Sequence, residues 1–195
     1  DNLTFTYEAK SLPYPIDTSY YDNEKHTQAD ALSVIPFMDE MNYEGLSVSG
    51  LSDGYYGLTI GGEFIGRFTA RELERGINMA LLQNTPQYKQ AMKIRQMNEE
   101  RWLKERKMRE FYWVEYNLMR KTGMLWACNE AAVDTLRKYR PHDIFLQWNG
   151  ALWLQYMHKG IREDCVNEQQ DLVNQIYEQN KPIPLRIEIK KFTDL

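Results

Sequence analysis

The spacing of apolar side chains predicts short strands in the first part of the chain. Apolar and polar residues alternate in runs at 3–7, 45–49, 55–60 and 63–68, and this period of two is typical of half-buried strands. Gly61-Gly62 joins the last two runs and favours a two-residue hairpin turn, because glycine adopts positive φ without steric cost. The pattern predicts a small antiparallel meander whose apolar face must be covered by other elements.

Capping signals predict where the helices begin. Thr69 and Glu72 have the spacing of a capping box, which predicts a helix from Ala70 to about Leu82. Thr85-Pro86 is typical of a second helix start. Neither Gly nor Pro occurs in 87–122, so this helix is predicted to run for about 35 residues, or about 52 Å at 1.5 Å per residue.

The remaining pattern predicts further helices and a last strand. Their approximate positions are 125–139, 141–159 and 163–179 for the helices and 185–192 for the strand. The predicted fold class is therefore α+β. A small antiparallel β-meander at the N-terminal side packs with a predominantly helical part, which contains one long helix (about 86–120) and ends in a short C-terminal strand.

The predicted elements divide the chain into two segments. Residues 1–85 form a β-rich segment with loops and one short helix, and residues 86–195 form a helical segment with the C-terminal strand. We expect the two to form one structural unit. A helix of about 52 Å exceeds the roughly 40 Å diameter expected of a body of this size. We therefore expect the unit to pack on a surface outside this chain, and a first residue that is Asp instead of Met agrees with that expectation.

Charge narrows the range of partners. The chain has 24 basic and 28 acidic side chains, which does not match the basic footprint of a nucleic-acid binder, so no nucleic-acid partner is expected. The imbalance is local: residues 1–85 carry 5 basic and 13 acidic side chains, whereas 86–122 carry 10 and 5. The basic stretch indicates a solvated helix face with pairs such as Glu100–Lys104, with an anionic partner as the alternative. No apolar run approaches the roughly 20 residues of a membrane helix, so no membrane span is expected.

The sequence has no motif for hydrolytic or metal chemistry. There is no Gly-x-Ser-x-Gly or Gly-Asp-Ser segment for a serine nucleophile. The three histidines and two cysteines lack the spacing of a zinc site, and no Gly-rich phosphate loop occurs, so we expect no metal and no cofactor. The carboxylates Asp39, Glu40 and Glu44 are interpreted as solvated. Four of the five tryptophans, at 113, 126, 148 and 153, are interpreted as core residues because they lie in apolar helical stretches.

Many short segments nevertheless resemble the region that follows the catalytic blocks in bacterial SGNH (GDSL-type) hydrolases. They are Leu12-Pro13-Tyr14-Pro15, Val34-Ile35-Pro36-Phe37, Met41-Asn42, Gly50-Leu51, Gly54-Tyr55-Tyr56, Leu58-Thr59-Ile60-Gly61-Gly62, Ile65-Gly66-Arg67-Phe68-Thr69, Glu72-Leu73, Gly76-Ile77-Asn78-Met79-Ala80, Asn84-Thr85-Pro86-Gln87-Tyr88, Asn98-Glu99-Glu100-Arg101-Trp102, Arg140-Pro141-His142-Asp143 and Asn180-Lys181-Pro182. The resemblance spans nearly the whole chain.

The resemblance implies a role without catalytic residues. In that family an α/β domain carries the Ser nucleophile, the oxyanion-hole residues and an Asp-x-x-His block, all of which would lie before Asp1. This chain has no Asp-x-x-His segment, since 22–26 is one residue too long, so no catalytic residue is carried over. The resemblance implies the non-catalytic C-terminal portion of an ester or acyl hydrolase, acting on a carbohydrate ester or a lipid in the periplasm or outside the cell. This portion would buttress the upstream α/β domain of the same polypeptide and form part of its substrate cleft. Asn78 is the candidate substrate-binding residue, with a hydrogen bond inside a helix as the alternative.

Two other functions stay open at this point. The chain could be an independent glycan- or protein-binding module, for which exposed tryptophans would be the sign. It could also be an enzyme that uses His142, Asp143 or Cys165, although a helix start and a buried thiol are the simpler interpretations of these residues. Whether Cys128 and Cys165 pair is not decided by the sequence.

Overall fold

A computed structural model describes residues 2–16, 20–21 and 26–192 of the chain. The predicted α+β class is confirmed, with an antiparallel sheet, a long helix and a C-terminal strand. The chain folds as two compact units, of which the first comprises 1–95 and 178–195 and the second comprises 96–177.

The helices and strands are numbered in chain order. The strands are β1 (Asn2–Tyr7), β2 (Tyr20–Tyr21), β3 (His26–Thr27), β4 (Gly45–Leu46), β5 (Tyr55–Ile60), β6 (Glu63–Thr69), β7 (Ile77–Asn78) and β8 (Leu185–Lys191). The α-helices are α1 (Phe37–Glu40), α2 (Ala70–Arg75), α3 (Pro86–Val114), α4 (Glu130–Tyr139), α5 (Ile144–Tyr156) and α6 (Lys159–Gln179). Short 3₁₀ turns cover Ala29–Ser33, Met79–Leu81 and Arg140–His142, and a π-helical turn, Glu115–Met119, continues α3.

The core of the first unit lies on one antiparallel sheet with the strand order β1-β8-β5-β6. Strand β8 lies between β1 and β5, so that Ile187 is paired with Phe5 on one side and with Ile60 on the other. Alternate residues of β8, among them Ile187 and Ile189, are buried, as are Tyr56 and Leu58 of β5. The alternation that predicts the strands therefore also identifies the covered face of the sheet.

The structure differs from two sequence-based expectations about this unit. The helix expected to run to Leu82 ends at Arg75, because Gly76 takes a φ of 92° that breaks the helical path. The apolar run at 45–49 does not join the main sheet, since β4 pairs with β7 in a separate two-stranded ladder. Its place beside β5 is taken by β8, whose apolar side chains are supplied from far along the chain.

The second unit is a helical bundle with a buried carboxylate in its core. Phe111, Val114, Met119, Leu136 and Trp153 are fully buried there. Glu115 is also fully buried, and its two carboxylate oxygens accept 2.8 Å hydrogen bonds from the Trp153 indole N–H and the Trp126 backbone N–H.

The tryptophans are only partly core residues. Trp153 is buried, but the interpretation of Trp126 and Trp148 as core residues is wrong, since their exposed fractions are 45% and 65%. Trp126 lies outside a helix and has a φ of 61°. Among the helices of the described residues, none combines the length and the apolar character that crossing a bilayer requires.

Candidate functional site

A pocket of about 460 Å³ lies in the first unit between residues 7–14 and 41–45. One wall is the irregular segment that follows β1 and contains two prolines, Pro13 and Pro15, whose rings fix the backbone φ. The opposite wall is held to it by the buried side chain of Asn42. The Asn42 Oδ1 accepts a 2.8 Å hydrogen bond from the Tyr14 N–H, and its Nδ2 donates a 2.9 Å bond to the Tyr14 carbonyl.

The side chain of Asn78 fixes the backbone of the second pocket wall, residues 41–45, through hydrogen bonds. Its Nδ2 donates to the carbonyls of Met38 and Asn42 at 2.8 and 3.0 Å, and its Oδ1 accepts from the Glu44 N–H at 2.9 Å. The same Oδ1 accepts from the Ala80 N–H at 3.1 Å, which caps the 3₁₀ turn that follows. Asn78 is thus a strand residue and a cap, and its amide fixes the position of Glu44.

Glu44 is a half-buried carboxylate at the pocket surface. Its carboxylate accepts hydrogen bonds from the Tyr7 hydroxyl and from the Gln87 side-chain amide, whose Nε2 lies 3.4 Å from both carboxylate oxygens. Burial raises the pKa of Glu44 above its ordinary value, and the two hydrogen bonds oppose this rise. Burial, and then the charge and the hydrogen bond of Glu44, raise the pKa of Tyr7 to about 12.

The partners of Glu44 are neutral groups. In the described part of the chain no Lys, Arg or His forms an ion pair with this carboxylate. Gln87 is 2% exposed, and its Oε1 has no hydrogen-bond partner among the described residues. The pocket surface also includes the exposed side chains of Glu8 and Lys10.

The sequence-predicted site residue lies next to this pocket without lining it. The side chain of Asn78 is taken up by backbone groups, and its role in substrate binding stays a prediction. Sequence reasoning missed Tyr7, Glu44 and Gln87, and the interpretation of Glu44 as a solvated carboxylate is wrong. The three residues are far apart in sequence and follow no motif spacing, so no local signal could have identified them.

The second unit has its own pocket, of about 430 Å³, next to His142 and Asp143. Asp143 is the N-cap of α5, where its carboxylate accepts from the backbone N–H groups of Phe145 and Leu146 at 2.8 and 3.2 Å. This is the structural role that the sequence indicates as the simpler one. The thiol of Cys165 is buried in the bundle core, which agrees with its interpretation as a buried structural thiol.

A thiol and an imidazole meet elsewhere in the second unit. The Cys128 Sγ lies 3.3 Å from the His158 Nδ1, and both residues are exposed. Both cysteines are free, so Cys128 and Cys165 do not pair. Among the described residues no three His, Cys, Asp or Glu side chains are grouped as they would be to hold a metal ion.

The geometry is that of an α+β protein whose first unit carries a pocket lined in part by tyrosines and whose second unit is a helical bundle. Residues 92–181 match the family described as the diltiazem deacetylase C-terminal helical domain. The whole fold is similar to the solved structure of BT4096, a gut microbial diltiazem-metabolizing enzyme, with 37% identity and a TM-score of 0.89. That match covers 98% of this chain and 43% of the other, so the chain spans less than half of the length of that enzyme. The comparison with curated proteins finds no match.

Proposed function

We propose that this chain is the non-catalytic C-terminal portion of an ester hydrolase of the deacetylating kind, and that it buttresses a catalytic α/β domain of the same polypeptide. The observation that carries the proposal is the similarity to the diltiazem-metabolizing enzyme, with 37% identity and a TM-score of 0.89 over 98% of this chain. The match of residues 92–181 to a domain described as C-terminal supports the placement after the catalytic part.

The chemistry of the described residues agrees with a supporting role. Ester hydrolysis by a serine hydrolase needs a nucleophile, a base and oxyanion donors in one place. The exposed Cys128 and His158 are a thiol and a base, but no third residue that orients the imidazole is bonded to His158 in the described part of the chain. The proposal therefore places the catalytic groups in the other domain, which the motif resemblance assigns to the SGNH type.

An exposed aromatic face on the second unit supports packing against another domain. The ring centroids of Trp113 and Phe145 are 5.3 Å apart, and those of Phe145 and Trp148 are 5.5 Å apart. Phe145, Trp148 and the neighbouring Ile144 are each at least half exposed. Contiguous apolar surface of this kind is characteristic of a contact site, and we propose that the catalytic domain covers it.

The rest of the proposal concerns substrate and compartment. The pocket of the first unit, with Asn78 behind its wall, is proposed to adjoin the substrate cleft of the complete enzyme. The proposed substrate is an acetyl ester of a small organic molecule, because the matching family is described as a domain of a diltiazem deacetylase. Export to the periplasm or the cell exterior is the proposed location, on the resemblance to exported bacterial hydrolases.

The test is to assay the encoded protein with and without the residues that precede Asp1. The substrates are diltiazem and a short acetyl ester, and the readout is released acetate. We expect activity only when the preceding residues are present. Ester hydrolysis by residues 1–195 alone, abolished by Cys128→Ser, would contradict the proposal.

A second arm tests the aromatic face. In the active full-length protein, we expect the double variant Phe145→Ser, Trp148→Ser to lower kcat severalfold, or to lower the melting temperature of the catalytic part by several degrees. The matched control is Tyr177→Ser, because Tyr177 is also an exposed aromatic residue of the second unit, at 69% exposure. Equal behaviour of the double variant and the control would mean that the face is not the contact.

A further inference from the structure

We propose that the pocket of the first unit binds a small organic ammonium ion, with the Glu44 carboxylate as its counter-charge and tyrosine rings as its walls. This inference goes beyond the hydrolase proposal and does not depend on it, because it concerns binding by residues that all lie in the first unit.

The strongest argument is the charge of Glu44. Glu44 is half-buried, and a carboxylate that loses part of its hydration is stabilised when a cation pairs with it. The Tyr7 hydroxyl and the Gln87 amide donate to Glu44, but both are neutral, and the Gln87 bonds are long at 3.4 Å. A cation in the pocket would supply the charge that these partners lack.

The surroundings favour an organic cation over a metal ion. Three tyrosines, Tyr7, Tyr14 and Tyr43, contribute to the pocket surface, and aromatic faces attract alkylammonium groups. Glu44 and Glu8 are not joined by a third His, Cys, Asp or Glu side chain, since no group of three such ligands occurs among the described residues. Gly45 is part of the same arrangement: a Cβ at that position would lie 2.6 Å from the Tyr43 Cε1, so only glycine lets this ring lie so close to the backbone.

Size and net charge agree with such an occupant. A volume of about 460 Å³ is within the range of small-molecule sites, roughly 300–1,000 Å³. The charged residues of the pocket surface are Glu8, Lys10 and Glu44, so the lining carries one net negative charge. The first unit, residues 1–95 and 178–195, carries 12 basic and 16 acidic side chains, and this net negative charge favours cations over anions near the pocket.

The site is also fixed in advance. The side-chain amides of Asn42 and Asn78 fix the two walls of the pocket through hydrogen bonds of 2.8–3.0 Å that do not require a ligand. A wall that is already ordered costs little additional entropy on binding.

The experiment measures binding of choline and of its neutral isostere 3,3-dimethylbutan-1-ol to the full-length protein by ligand-observed NMR and calorimetry. Trimethylamine at neutral pH is the third probe, since it carries the N–H that choline lacks. We expect both cations to bind at least about tenfold more tightly than the alcohol. We expect Glu44→Gln to remove this preference and the matched control Glu40→Gln to keep it, because Glu40 is exposed and lies outside the pocket surface.

A further variant tests the role of the aromatic ring, and two results would overturn the inference. Tyr43→Leu, which keeps the charge but removes the ring, is expected to weaken cation binding severalfold. Equal binding of choline and the alcohol, or cation binding that survives Glu44→Gln in a folded protein, overturns the inference. The readout is binding, so a failure of the ester-hydrolase proposal would leave this result standing, and the reverse holds as well.

Discussion

Asn78 is the residue on which the geometry of the pocket wall depends most. Its amide makes four hydrogen bonds to backbone groups of Met38, Asn42, Glu44 and Ala80, so one side chain connects a helix end, a loop and a 3₁₀ turn. Asn78 is singled out by its place in a resembling segment, but three of its four backbone contacts could not be predicted because they join residues more than thirty positions away.

Asn78→Ala is expected to lower the free energy of unfolding by about 2–6 kcal/mol, since four hydrogen bonds are lost at about 0.5–1.5 kcal/mol each. Urea denaturation measures the change. The matched control is Asn84→Ala, which removes one amide bond, to the Ile65 carbonyl at 2.8 Å, and is expected to cost about 1 kcal/mol. Equal losses in the two variants would contradict this assignment.

Tyr7 is expected to make the stability of the first unit fall as the pH rises into the alkaline range. Its pKa in the folded protein is about 12, above the ordinary value of 10, because burial and Glu44 favour the neutral phenol. The stabilisation is complete below the unfolded pKa and is lost as the pH rises through the folded pKa. Between pH 10 and about 12 the wild type should therefore lose stability more steeply than Tyr7→Phe.

Denaturation midpoints at pH 9, 10.5 and 11.5 test this expectation, with Tyr177→Phe as the exposed control. Parallel curves for wild type and Tyr7→Phe would show that Tyr7 titrates at an ordinary pKa.

At the scale of elements, the features that could be predicted from the sequence are those that depend on contacts between neighbouring residues. The capping box of α2 forms as expected: the Thr69 Oγ1 accepts from the Glu72 N–H at 3.1 Å, and the Glu72 carboxylate accepts from the Thr69 N–H at 2.7 Å. The long helix was predictable from the absence of Gly and Pro. Its π-helical end, Glu115–Met119, was not, because it depends on how a buried carboxylate fits between tryptophans brought in from later in the chain.

Glu115→Ala tests that end of the helix. The change leaves the Trp153 indole N–H and the Trp126 backbone N–H without their acceptor, and at about 1–3 kcal/mol for each unpaired donor the expected loss is about 3 kcal/mol or more. Glu115→Gln keeps one acceptor oxygen and should cost less. The control is Glu105→Ala on the same helix, whose surface pairs with Arg101 and Arg109 are worth about 0.5 kcal/mol. A loss as small as that of the control would contradict the structural role of Glu115.

The strand order could not be predicted, for a related physical reason. The periodicity of two predicts that β8 is a strand and which of its faces is buried, but it contains no information on the partner. Pairing of Ile189 with Leu58 and with Leu3 is a long-range choice made by the packing of the whole sheet.

For the whole molecule, the central position of β8 predicts an unequal sensitivity to mutation near the C-terminal strand. Ile187→Ala removes a fully buried side chain between two paired strands and is expected to cost about 2–5 kcal/mol. Ile183→Ala, only four residues earlier, affects a side chain that is 58% exposed and should cost under about 0.5 kcal/mol. Thermal denaturation of the two variants checks the contrast, and similar losses would rule out a central β8.

The discontinuous first unit also affects the order of events during synthesis. The hairpin of β5 and β6 leaves the ribosome long before β8, and the whole of 96–177 is made in between. At about 5–20 residues per second the two strands that flank β8 wait on the order of ten seconds with unpaired edges. In that interval the nascent chain presents strand edges on which aggregation begins, so its yield in cells should depend on chaperones and on translation speed through the helical segment.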